Sequence, residues 1–347
     1  MNSTHDTSKF RGRRFAPSIF TLLVIAATVL PARAEVIHAF DPAAGEFPES
    51  VATDLVGNVY FSLTGPAGTI GRVTPSGEMR IHFALEPAPS PDSFGILGLT
   101  IGPWGKVYAA VASFDPATHG VWRIDANGNG VRIPGTQAIT MPNDLTFDHR
   151  GRIYVTDTLG GAVWRINVDG EVAPWVEDPL LLGDGSSGRP VPLGANGIDF
   201  HADSLFIAVT EGARVVSVKI MSDGSSGQLE VMAEHPDLFL IDGIAADKSG
   251  RLLGAIVALN GTTFGRVMQI ERGAAPEELL GPGDGLQLPT SIAFGRAGSE
   301  ANKLFVANWD LAAGDLGATP MPALHQFEIP PPLPPLPEVC LPFVPTP

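Results

Sequence analysis

The chain has 347 residues, 44% apolar and 17% charged, enough to bury a large core and too hydrophobic for a disordered polymer. Its 37 acidic against 22 basic residues give a formal net charge of -15, which repels phosphates and argues against nucleic acid as a partner. Forty glycines and 32 prolines exclude a helical bundle, because both residues interrupt helices, and favour many short strands joined by turns.

Residues 1–34 read as a targeting segment. Lys9, Arg11, Arg13 and Arg14 precede an apolar run from Ile19 to Leu30, and Ala32-Arg33-Ala34 supplies the small residues of a cleavage site. A secretory signal cleaved after Ala34 and a secreted or periplasmic mature protein are therefore expected. The apolar run has twelve residues, short of the ~20 that span a membrane, so no span is expected in the mature chain. Arg13-Arg14 followed by Phe15 leaves the export route open between the general and the twin-arginine pathways. Without this segment the formal charge deepens to -19.

Residues 35–329 carry one pattern six times: a short apolar strand, a tight turn usually holding Asp and Gly, and a second strand rich in Tyr, Phe, Val and Ile. The copies begin at Glu49, Leu97, Asn143, Asn196, Asp242 and Thr290, spaced by 48, 46, 53, 46 and 48 residues. Segments such as TIGRVTPSG, GVWRIDANG and GAVWRINVDG supply a third strand, and MRIHFAL or EVAPWVED a fourth. This period is that of propeller blades, so the expected fold is an all-β, six-bladed β-propeller with four-stranded blades. The sixth copy runs out of strands after HQFEI. The mature N-terminal strand, Val36 to Phe40, is expected to complete it and so close the ring without an exposed edge. Residues 330–347, with nine prolines and the single Cys340, read as an extended tail outside the core. One cysteine allows no internal disulfide, so the fold must rest on its core or on a bound metal.

In a propeller the first strand of each blade lines the channel, so the residues opening these strands converge at one end. Glu49, Asn143, Asn196 and Asp242 are oxygen donors, and Leu97 and Thr290 complete the ring. Two carboxylates and two amides suit a hard divalent cation, Ca²⁺ above all, with another divalent cation as the alternative. The absence of His and Cys from the set disfavours zinc. A structural reading competes for each residue singly, since Asn and Asp also open strands after Pro-rich loops.

The segments PESVATD, PNDLTFD, ANGIDF and IDGIAADKSGRLLGA resemble the senescence-marker-protein, gluconolactonase and luciferin-regenerating-enzyme family of six-bladed calcium propellers over residues 36–329. The resemblance implies that Glu49, Asn143, Asn196 and Asp242 are the metal ligands, and that a lactone, ester or phosphoester is hydrolysed. Sugar-lactone members carry an Arg two residues before the first Asn ligand. Met141 stands there in this chain, and with Leu97 it suggests a less polar small-molecule substrate, unless Arg189 on the long loop Asp178 to Ala195 supplies the polarity. That loop pairs an apolar stretch with glycine hinges and is a candidate lid; Glu86 to Ile96, Ser113 to Gly120 and Ala258 to Gly265 bound the same channel mouth.

Asp242 is the candidate catalytic base or nucleophile, a role that competes with plain ligation. Asp157 and Asn308, near the ends of second strands, are candidates for substrate contact or for capping loops. The run from Asp125 to Asn129 opens like a calcium-binding EF-hand but has Thr136 where a bidentate Glu is required, so it reads as a hairpin. His149 and His201 read as turn residues. Asn260-Gly-Thr262 is a glycosylation motif only in a eukaryotic secretory pathway. Two other functions compete with the Ca²⁺-dependent hydrolase. TIGRVTPSGEMRIHFAL resembles the repeat of virginiamycin B lyase, which implies elimination, seven blades and a catalytic His. The other is a non-catalytic binding propeller with structural calcium. A monomer is expected.

Overall fold

The computed structural model describes residues 34–64, 68–90, 93–259, 263–300, 302–310 and 313–329; the expected signal, Asn260 and the proline tail with Cys340 lie outside them. Among the described residues, 24 strands form six antiparallel sheets of four, and no α-helix occurs. The inner strands of blades 1 to 6 are Pro48–Thr53, Gly95–Ile101, Pro142–Phe147, Ala195–His201, Ile241–Ala246 and Pro289–Phe294. Each touches the inner strand of the next blade, and the sixth returns to the first. The last sheet takes Ala34–Ala39 as its outer strand, paired antiparallel with Ala323–Glu328, so the two ends of the propeller chain close the ring.

The turn residues explain the repeated Asp and Gly. Asp54 accepts N–H bonds from Val56 and Asn58, Asp148 from Arg150 and Arg152, and Asp247 from Ser249 and Arg251. Gly57, Gly151 and Gly250 close these turns at φ of 89°, 80° and 90°, a conformation that only glycine adopts without strain. Asp125 makes the same bonds, to Asn127 and Asn129, between a third and a fourth strand, so this segment is a hairpin turn. His149 is an exposed turn residue beside Asp203, and His201 ends an inner strand.

One hydrophobic cluster lies between every pair of neighbouring blades. Ile70 and Phe83 of blade 1 meet Ile96 and Val107 of blade 2, and Val163 of blade 3 meets Ile207 and Val216 of blade 4. Equivalent clusters join blades 2 and 3, 4 and 5, 5 and 6, and 6 and 1. Each sheet is therefore covered on both faces only when its two neighbours are present, which is why alternation along the strands is weak and the ring must close.

Candidate functional site

Every inner strand carries one extra residue relative to its partner, and in each blade the bulge falls at the position that opens the repeat. The register slips between Pro48 and Val51, Ile96 and Leu99, Pro142 and Leu145, Ala195 and Ile198, Ile241 and Ile244, and Pro289 and Ser291. A bulge removes backbone groups from the ladder and re-aims side chains. Buried backbone groups need partners, and neighbouring blades supply them. Hydroxyls donate across to freed carbonyls: Ser62 to Leu97 (2.7 Å), Thr156 to Asn196 (2.7 Å), Thr158 to Ala195 (2.7 Å), Thr210 to Ile241 (2.9 Å) and Thr290 to Glu49 (2.6 Å).

These bonds orient the two amides. The single proton of Thr158 goes to the Ala195 carbonyl, so its oxygen must accept from Asn143 Nδ2 at 3.0 Å. Thr210 is likewise committed to Ile241 and accepts from Asn196 Nδ2 at 3.1 Å. With their NH₂ groups so engaged, Asn143 and Asn196, both buried, retain their carbonyl oxygens as free donors of lone pairs. The Asn196 amide also lies near enough to the Asp242 carboxylate to oppose the rise of its pKa.

Glu49 and Asp242 are half-buried in the same end of the channel. Glu49 Oε2 is enclosed without a hydrogen-bond partner. Burial, then the negative charges of Asp242 and Asp144, hold the Glu49 carboxyl well above its usual range. Burial and Asp144 push Asp242 up to about 7, against the opposing pull of Arg189 and Asn196. Asp144 is pushed to about 7 by burial, although its carboxylate accepts the N–H groups of Ile198 and Leu145 at 3.1 and 2.8 Å. Crowded carboxylates, an orphaned carboxylate oxygen and two oriented amide oxygens make a donor set that fits a hard divalent cation. Among the described residues no three His, Cys, Asp or Glu side chains group as a metal site, so any cation here depends on the amides.

The remaining expected residues divide differently. Leu97 and Met141, 5% and 2% exposed, pack with Ala112 and Leu159 in one buried apolar cluster. Asp157 accepts four bonds from its own blade: Thr140 N (2.8 Å), Met141 N (2.9 Å), Gly160 N (2.9 Å) and Trp164 Nε1 (3.2 Å). Asn308 accepts from Gln287 and Leu288 N–H and donates to the Met321 carbonyl. Both side chains are loop clamps, with no hydrogen-bonding capacity directed at a substrate.

The long loop is tied down. Asp178 caps the 3-10 turn Pro179–Leu181, Leu181 is fully buried, and Glu211 holds the loop through Gly185 N (2.6 Å) and the Ser187 hydroxyl. Gly183 and Gly194 are contact residues more than hinges, since a Cβ there would lie 2.5 Å from Leu193 N and 2.2 Å from Leu181 O. Arg189 is exposed on this loop, and its charge reaches Asp242. At the opposite channel mouth a cavity of about 710 Å³ is lined by Thr53, Thr146, Asp199 and the basic rim Lys248, Arg251 and Arg296; of the ring residues' neighbours, Asp144 reaches it.

Sequence reasoning missed Thr158, Thr210 and Asp144. The signal was present: Thr64, Thr158 and Thr210 each follow the residue paired with the start of the inner strand, at one common register. The bulge, which decides what these hydroxyls touch, leaves no mark in the alternation.

No family model and no curated protein matches the chain. Solved structures share its fold. A gluconolactonase from Xanthomonas campestris is 17% identical, with a TM-score of 0.61 over 86% of this chain and 90% of that one. The calcium-binding protein regucalcin from Agrobacterium tumefaciens is 16% identical, with a TM-score of 0.58 over 86% and 96%. Virginiamycin B lyase from Staphylococcus aureus is 19% identical, with a TM-score of 0.53 over 80% and 83%.

Proposed function

We propose that the chain is a Ca²⁺-dependent hydrolase of lactones or related esters, secreted or periplasmic, and a distant member of the gluconolactonase-like propellers. The observation that carries this reading is the convergence of Glu49 and Asp242, both with raised pKa, beside the threonine-oriented amides of Asn143 and Asn196. Glu49, Asn143, Asn196 and Asp242 would hold the cation. When bound, a calcium ion supplies Lewis-acid polarisation of a carbonyl oxygen.

The chain's own residues supply the rest. Asp242 is the base that takes a proton from the attacking water; its value near 7 belongs to the channel without the cation, whose charge would lower it, so the role rests on the position of the carboxylate among the other ring residues. Arg189 stands where its charge reaches Asp242 and can steady the developing negative charge of an opened ester. The apolar cluster of Leu97 and Met141, where sugar-lactone relatives would place an Arg at position 141, suits a substrate less polar than a sugar lactone. Six blades, with no His opening any inner strand, favour hydrolysis over the elimination implied by the lyase-like repeat.

Metal analysis of the purified protein and a lactone and ester panel with and without chelator test the reading. Expected are stoichiometric calcium and chelator-sensitive turnover. Stoichiometric calcium with no turnover, and a lower melting temperature in chelator, leave the non-catalytic binding propeller with structural calcium instead. Asn196→Ala should weaken calcium binding; unchanged affinity refutes the ligand register.

A further inference from the structure

Two aromatic rings stand at the rim of the same channel mouth, one on the loop leading into blade 2 and the other between its second and third strands. Phe94 precedes the inner strand that carries Leu97, and Phe114 follows the second strand that ends at Ala112. They are 40% and 50% exposed, yet they touch, with ring centroids 6.2 Å apart at 67°. Single exposed apolar side chains are ordinary, but two that touch each other make a patch. Phe94 and Phe114 flank the strands from which Leu97 and Ala112 pack with Met141 in a buried apolar cluster.

Phe114 is held in place at some cost. Its φ is 57°, in the left-handed region that bulky residues avoid. The buried His119 fixes it: Nδ1 accepts from Phe114 N at 3.1 Å, which leaves Nε2 to donate to the Ile139 carbonyl at 2.8 Å. The imidazole also stacks on the Phe114 ring, with centroids 5.5 Å apart at 22°. The ring is thus both exposed and conformationally fixed, as a surface kept ready for a ligand would be.

We propose that Phe94 and Phe114 form a platform for the apolar arm of the substrate, an aryl or medium-chain alkyl group carried by the lactone or ester ring. The proposal rests on the hydrolase reading for the position of the reacting ring, but its test does not need turnover. The probes are δ-valerolactam, which lacks an arm and resists hydrolysis, and its 6-hexyl derivative, titrated by calorimetry into the full protein with calcium present. The variants are Phe94→Gln and Phe114→Asn, the latter because Asn tolerates the left-handed backbone.

The native protein should bind the hexyl lactam more tightly than the parent. Each variant should lose about tenfold affinity for the hexyl lactam, from the apolar area no longer buried, and keep that for the parent. Matching thermal melts show that the variants fold. Selective loss without turnover of any lactone upholds the platform while the hydrolase reading fails. Equal loss for both lactams, loss for neither, or no preference in the native protein overturns the platform. Self-association abolished by Phe94→Gln overturns it too, because the rings would then cover a second copy of the chain.

Discussion

Replacing Asp157 by Asn separates a loop clamp from a substrate contact. The carboxylate is 1% exposed, and its two oxygens accept four N–H bonds, from Thr140 and Trp164 on Oδ2 and from Met141 and Gly160 on Oδ1. An amide of the same shape keeps one accepting oxygen. Its NH₂ then faces two donors, so two enclosed N–H groups lose their partner. At ~1–3 kcal/mol for each unsatisfied group, the expected loss is about 4 kcal/mol. Urea unfolding followed by tryptophan fluorescence reads this as a lower midpoint with an unchanged slope. Met141 N lies two residues before Asn143, so calcium affinity should fall as well. A stability loss below about 1 kcal/mol, together with abolished turnover in a folded and calcium-loaded protein, would refute the clamp and restore Asp157 to the substrate site.

The other predictions concern the channel. Thr210→Val leaves the Ile241 carbonyl unpaired and releases the Asn196 amide, so it should cost about 1–3 kcal/mol and weaken calcium binding, read by unfolding and calorimetry. Unchanged affinity would mean that the hydroxyl does not orient the amide. Gly197→Ala puts a Cβ 2.3 Å from the Asp242 carbonyl oxygen and 2.7 Å from Ile244 N, and should cost roughly 1–3 kcal/mol or more by forcing blades 4 and 5 apart. Native-like melting would contradict that packing. The raised carboxyls of Glu49, Asp242 and Asp144 keep their protons in the folded chain well above the pH at which the unfolded chain releases them. The folded state therefore binds more protons, and its stability falls as pH rises through about 7. Half-buried His38 and His82 and buried His325, with lowered pKa, act in the opposite sense below about 6.5, so the window to compare is pH 6.5 to 8. Chelated protein should melt lower at pH 8 than at 6.5, Glu49→Gln should reduce that difference, and saturating calcium should remove it. A chelated protein equally stable at both pH values counts against the carboxyl cluster.

The first five repeats and their starting residues were legible because each of these blades is a local unit, with its turns and its four strands within some fifty residues of chain; the closure was legible because the sixth repeat lacks a fourth strand and the N-terminal strand has no repeat of its own. The ring position of Glu49, Asn143, Asn196 and Asp242 followed from the repeat alone. Their orientation did not. It depends on Thr158 and Thr210, each of which reaches across to a carbonyl of the next blade that a bulge has freed, a contact between residues 37 and 31 positions apart in the chain.

Asp157 and Asn308 show the same limit from the other side. A polar residue at the end of a second strand reads as a candidate for the channel, and only the positions of the surrounding N–H groups reveal that its capacity is filled at home. Leu97 and Met141 were recognisable as apolar, but their burial against Ala112 and Leu159 was not, because it joins residues from two neighbouring blades. Local repetition determined the architecture and the identity of the inward-facing residues. Which of their atoms remain free was decided by packing between blades, since hydrogen bonds and burial at a ring's centre are shared among segments that the chain order keeps apart.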